Sequence, residues 1–349
     1  MALQAAQIAD LVATTINELN ELKFTDISAP LQRYIALSRL MKKNKTMFDA
    51  GPEIQWDLMT NDNGSARFVG LYATDNVNVP DVMIQGKIPW RHVTWNWAID
   101  RREIAMNRSP RRIVELVKTR RMAAFVSSVV LFENKFWRAP ASTDDTSPYG
   151  VPYYIVKSNT TPDGDFTGTV PSGHTTVANV NPTTYTRWRN WAFQYTAVTK
   201  DDLVRKWRKA AEFTDFDTPI EGMPTFNTGD DYGFYTNWAV LGTLAEILEQ
   251  QNENLGTDVA SMDGKVLFQR KVVERVPQLE EDTTNPIYGI NWGEFKTTGL
   301  RGEWLNETSI PIQPGQHTVA ATHTDCSFNW LCYNRRRQFV GATTTTMPA

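Results

Sequence analysis

His323, Cys326 and Cys332 lie within ten residues of one another, and imidazole and thiolate are zinc ligands. Their spacing matches neither a zinc ribbon nor a finger, and no fourth ligand is nearby, so they read as ordinary strand residues. The other histidines, His92, His174 and His317, are scattered along the chain. Asp144, Asp145, Asp163 and Asp165 offer carboxylates for acid–base work or calcium, but in a loop rich in Thr, Gly and Pro such acids are usually solvated. Ser172-Gly173-His174 lacks the GxSxG setting of an activated serine. No GxxxxGK[ST], no GxGxxG after a strand and no HExxH is present. The expectation is a protein without catalytic residues, metal or cofactor, and not an enzyme.

The remaining chemistry is electrostatic. Between residues 101 and 121 eight cations (Arg101, Arg102, Arg108, Arg111, Arg112, Lys118, Arg120, Arg121) face two acids, Glu103 and Glu115. Such a cluster serves either as a solvated or ion-paired helix face, or as a surface for the phosphates of nucleic acid. Residues 246–282 hold nine acids against four cations. A subunit polarised in this way suits a mildly basic inner face and an acidic outer one.

These residues need elements to position them. Hydrophobic residues make up 41% of 349, enough for a sizeable core, and the net charge of −3 argues against a protein that coats nucleic acid along its whole surface. The first residues lack a basic n-region and carry Asp10 and Glu18, no run of eighteen apolar residues exists, and two cysteines make no disulfide framework. The reading is a soluble chain made in a reducing cytoplasm, with no membrane partner. Residues 1–22 repeat apolar positions near a period of 3.6, a short amphipathic helix, and Arg33, Arg39, Lys42, Lys43 and Lys45 continue it as a basic arm. Residues 53–100 read as extended, turning at Asn61–Ser65, with Val93, Trp95, Trp97 and Ile99 forming one apolar face. Ser109 and Pro110 open a helix running to about Trp137, roughly 40 Å long. Tyr153–Val156 reads as a short strand, 163–165 as a turn, Thr199 with Asp202 as a capping box, and 237–251 as a helix. Strands are expected at 266–268, 272–276 and 328–333, and disorder at 343–349. The fold class is α+β.

The order of these parts resembles the Hong Kong 97-type capsid subunit of tailed bacteriophages over nearly the whole chain. The segment WNWAIDRREIAMNRSPRRIVELVKTRRMAAFVSSVVLFENKFW looks like the entry to the spine helix and the helix itself. KVLFQRKVVERVPQL followed by PIYGINWGEF, and then CSFNWLCYNRRRQFVG, are similar to the late strands of phage coats. The resemblance implies an N-terminal arm over 1–50 and an extended two-stranded loop over 51–98. It also implies a peripheral domain over 99–139 and 286–349 with its spine helix at 110–137, and an axial domain over 140–285. It implies a coat protein of the virion that self-assembles into pentamers and hexamers of an icosahedral shell around packaged dsDNA, built in the host bacterial cytoplasm. The implied partners are further copies of itself, a portal, a separate scaffolding protein and a decoration protein. Trp56, Trp90, Trp95, Trp97, Arg335 and Arg336 are then expected at contacts between subunits, and the basic run from Arg101 to Arg121 against DNA. Some relatives cross-link themselves through a Lys and an Asn; Lys87 lies in the loop, without a matched partner. A nanocompartment shell of the encapsulin type is the alternative within the fold, and a tryptophan-rich glycan-binding protein the alternative outside it.

Overall fold

The computed structural model describes residues 33–41, 46–64, 66–71, 82–106, 110–158, 160–216, 231–252, 265–310 and 318–344, the side chains of 110–115, 248–252 and 310 excepted. The helix expected over 1–22, Lys42, Lys43, Lys45, the Ser109 cap and the tail beyond Thr344 lie outside the described residues. The chain divides into two compact units. One comprises Met1–Ala50, Trp90–Phe136 and Thr297–Asn329; the other comprises Gly51–Pro89, Trp137–Lys296 and Trp330–Ala349.

In the first unit, the short helix α1 (Ile35–Leu40) and strand β1 (Thr46–Asp49) precede β4 (Arg91–Asp100), α2 (Arg101–Met106) and the long helix α3 (Pro110–Phe136). Strands β11 (Phe295–Leu300), β12 (Asn306–Ile310) and β13 (Val319–Cys332) complete a five-stranded sheet in the order β1-β11-β13-β12, with β4 also on β13. The period of two read in β4 is realised: Trp97 and Ile99 are buried and join Ile104 and Val117 in a small core. Trp95 meets Phe132 of α3 edge to face, centroids 6.0 Å apart, and Phe132 meets Phe328 at 5.2 Å. The expectation that β4 is the return strand of the extended loop is corrected here. Its hydrogen bonds go to β13, in register from Val319↔Asp100 to Phe328↔Arg91, and α3 covers its aromatic face.

Helix α1 has no side-chain cap of its own. The Glu133 carboxylate, fully buried on α3, accepts from the Ile35 and Ala36 amides through Oε1 (3.0 and 3.1 Å) and from Ala36 and Leu37 through Oε2 (3.0 and 3.3 Å). A negative charge there satisfies the orphan donors of a helix start and matches its dipole.

The second unit is built on a seven-stranded sheet: β5 (Asp165–Gly168), β6 (Asn190–Tyr195), β14 (Phe339–Thr343), β10 (Ile287–Asn291), β7 (Tyr232–Thr236), β9 (Lys271–Arg275) and β8 (Leu267–Phe268), in that order. Helices α5 (Arg205–Thr214) and α6 (Trp238–Asn252) pack on it through Trp207, Ala210, Val240 and Leu244. Thr199 caps the turn before α5, its hydroxyl accepting from the Asp202 amide. Asp202 does not return the bond, and its carboxylate takes Thr196 and Ala197 amides instead. Tyr153–Val156 is not a strand. Gly150 and Pro152 start the helical turn α4 (Val151–Tyr154), which buries both tyrosines. Thr343, placed in the disordered tail by the sequence reading, belongs to β14, and its amide donates to the Thr284 carbonyl at 2.8 Å. Strands β2 (Glu53–Met59) and β3 (Met83–Pro89) form a separate antiparallel ribbon, so the return strand lies at 83–89.

Arg335, wholly buried, closes this unit. Its Nε donates to the Tyr154 carbonyl (2.6 Å) and Nη1 to that of Trp188 (2.9 Å). Its Nη2 faces the carbonyls of Gly168 (3.3 Å) and Thr169 (2.8 Å) and the Asn190 side chain (3.3 Å). Five oxygens surround the cation, none of them a carboxylate among the described residues. Burial lowers its pKa to about 10, still protonated at neutral pH.

Replacing Arg335 by Met leaves those carbonyls buried without a donor and is expected to lower unfolding free energy by about 3–5 kcal/mol in urea titrations. A loss below about 1 kcal/mol contradicts the assignment. Glu133→Leu is expected to cost about 2–3 kcal/mol and to speed proteolytic cleavage near Arg39; unchanged cleavage means that α1 is held by something else.

Candidate functional site

The structure relocates most of the residues expected to touch other subunits. Trp56, Trp90 and Trp97 are buried, as is Arg335, all against their own chain. Buried in this way, these side chains take part in holding the fold. Trp95 is half-buried against Phe132. Arg336 is half-buried, its guanidinium 4.6 Å from the Phe166 ring centroid and 5.6 Å from that of Phe216.

Arginines of the basic run also turn inward. Arg120 donates to the Ala98 carbonyl (2.8 Å) and pairs with Glu103 (2.7 Å), while Arg121 pairs with Glu307 (2.9 Å). The Glu103 carboxyl is held below its ordinary pKa, first by its hydrogen bond to Arg120. Lys118 is half-buried, whereas Arg101 and Arg102 are exposed. Arg108, and the side chains of Arg111 and Arg112, lie outside the described residues. Several acids of 246–282 are likewise matched within the chain. Glu280 takes Arg275 and the Trp238 amide, Glu281 takes Arg138, and Asp282 takes Lys157.

No chemical site takes their place. Among the described residues no group of three His, Cys, Asp or Glu could hold a metal ion. Burial pushes the Cys326 thiol up to about 11 and raises that of Cys332 well above its ordinary value, which disfavours the thiolate. Lys87 lines a polar cavity of about 470 Å³ with Glu53, Asn179 and His174. Glu53 and Asn179 are exposed to water, unlike the desolvated setting that an amine nucleophile needs. No described helix is long and apolar enough to cross a membrane.

What the structure does present is a ribbon with two different ends. At its root Trp56 lies over Gly86 across the strand pair, and its ring meets Tyr333 edge to face at 6.4 Å. The Lys87 amide donates to the Ala178 carbonyl at 3.0 Å, and Ile54 and Ile88 are buried. At the far end the large apolar side chains are in water: Met59 (59% exposed), Phe68 (108%), Val69 (65%), Leu71 (95%) and Met83 (52%). Large apolar side chains left in water are available for burial on a partner. Sequence reasoning missed it because Gly64 and Gly70 break the apolar run and the tryptophans drew attention to the root. Helix α3 also exposes Phe125 and Leu131, Phe125 beside Trp95 and Trp97 at the edge of a pocket.

No family model and no curated protein matches the chain. Solved structures do. The chain is similar to one in the cyanophage A-1(L) capsid asymmetric unit (14% identity, 91% of this chain and 94% of that one, TM-score 0.60). It is similar to a capsid chain of a native GTA particle (11% identity, 93% and 96%, TM-score 0.58) and to a chain of Mycobacterium phage Bobi (8% identity, 99% and 100%, TM-score 0.51). The chain has the fold of these subunits, the α+β Hong Kong 97-type fold.

Adding a β-carbon at Gly86 would bring it within 2.6 Å of the Trp56 ring. Gly86→Val is therefore expected to unseat Trp56 and raise the rate of protease cleavage within 51–89 by roughly tenfold, with the rest of the chain unaffected. An unchanged cleavage pattern would show that Trp56 does not hold the ribbon.

Proposed function

We propose that the chain is the major capsid protein of a tailed bacteriophage, acting by geometry rather than catalysis. Copies assemble into pentamers and hexamers of an icosahedral shell that encloses packaged dsDNA. The observation that carries this reading is the exposed apolar end of the ribbon, on a chain that over 91–93% of its length is similar in fold to chains of solved capsids. A two-stranded ribbon is marginal alone in water, and burying its far end on a neighbouring copy offsets that weakness. In this reading residues 51–89 are the extended loop that clasps a neighbour. The unit carrying α3 is the peripheral domain, and the unit with the seven-stranded sheet is the axial domain around each capsomer centre. Arg101 and Arg102 face DNA through phosphate electrostatics that carry no sequence preference. Portal, separate scaffolding protein and decoration protein are the further partners, and the virion the location.

The double substitution of Phe68 and Leu71 by Asp tests this. Both side chains are in water in the single chain, so the melting temperature should stay within about 2 °C. Loss of two central apolar contacts should cut the yield of closed particles, counted by negative-stain microscopy, by about thirtyfold or more. Equal yields of shells, or a monomer under all conditions for the unaltered chain, would contradict the proposal. Shells filled with protein instead of DNA would redirect it to a nanocompartment.

A further inference from the structure

Helices α5 and α6 leave an apolar groove between them on the second unit. Trp207 and Phe268, stacked face to face at 4.0 Å, form its floor, with Val204, Leu244, Ile247 and Val266 as walls. These side chains are continuous with the core of the unit, so the groove is an opening in that core rather than a surface depression. Its volume is about 340 Å³, room for a few aliphatic side chains. Leu267 stands at the edge, 40% exposed.

Among the described residues lining the groove the charged ones are Lys200 and Arg208, both exposed, and neither makes an ion pair among the described residues. Arg205 and Lys209 add two exposed cations on the same helix, against one exposed acid, Glu212. Lys206, by contrast, is held by Asp202 at 2.6 Å. Bare nucleic acid does not explain the apolar floor: phosphates need none, and the two aromatic rings are turned to each other instead of offered to a base. An apolar slot between two helices with a basic rim is the complement of a third helix, leucine-rich on one face and flanked by carboxylates.

We infer that this groove docks an acidic amphipathic helix from a partner protein. Apolar residues of that helix, one turn apart, enter the slot over Trp207 and Phe268, and its acids meet Lys200 and Arg208. The inference goes beyond the shell reading, since the groove lies within one unit and needs no second copy of the chain.

The test uses the full chain and two fluorescent peptides of about eighteen residues, five helical turns. Both carry leucines at i, i+3, i+4 and i+7; one is flanked by Glu, the other by Lys. Anisotropy should show binding of the Glu peptide only, weakened by added salt. Lys200→Glu with Arg208→Glu should weaken it about tenfold, the two sites being on the surface and the melting temperature unchanged. Leu267→Ser, which leaves the charge unchanged, should weaken it too without altering the salt dependence, a readout that does not rely on the double variant. Equal binding of both peptides, no binding, or binding indifferent to all three substitutions overturns the inference. Displacement of the peptide by an oligonucleotide, or loss of self-association in the double variant with no peptide bound, assigns the groove to nucleic acid or to a second copy and equally overturns it. None of these outcomes bears on the exposed end of the ribbon.

Discussion

A positive charge with no carboxylate partner among the described residues organises the larger unit. The Arg335 guanidinium is removed from water, a transfer that costs several kcal/mol, and is compensated by carbonyl and amide oxygens and by the Trp188 ring, 5.8 Å away. Those oxygens come from α4, from the end of β5 and the residue after it, and from the approach to and start of β6, so the cation is satisfied only when all of these segments are in place. Gly168 fits beside it because a β-carbon there would meet the Asn190 side chain at 2.0 Å. Asn190 itself bonds both the amide and the carbonyl of Val156 (2.9 and 3.0 Å). Tyr333, two residues before Arg335, receives Trp56. The Tyr333 amide is itself held by the Glu294 carbonyl at 3.0 Å, so the seat of the ribbon lies beside the arginine in the chain.

The first unit answers the same problem with opposite chemistry. A buried carboxylate, Glu133, accepts the amides at the start of α1, and Arg120 and Arg121 tie α3 to Glu103 and Glu307. Buried charge in both units serves position, with every partner inside the chain. Large apolar side chains stay in water at the far end of the ribbon and on α3, and the groove between α5 and α6 opens the core. Exposed apolar surface of this kind suits association.

Periodicity and caps made much of this legible. The limits of α3 came from Pro110 and a helical run of apolar residues, and the inward face of β4 from Trp97 and Ile99. Alternation shows that a face is buried but not which strand supplies the hydrogen bonds, and for that reason β4 was first joined to the ribbon. Arg335 was read as a contact between subunits because arginine is ordinarily a surface residue. Its five acceptors lie up to 181 residues away in sequence, and no local pattern reveals them. Phe68 and Leu71 were passed over for the opposite reason, since isolated apolar residues beside glycine look like any loop.

Cryo-electron microscopy of the particles formed by the unaltered chain tests the central claim most directly. The account predicts a closed icosahedral shell of pentamers and hexamers in which residues 66–71 of each copy are buried on a neighbour. A shell in which those residues stay in solvent, or a chain that never leaves the monomeric state, would contradict it.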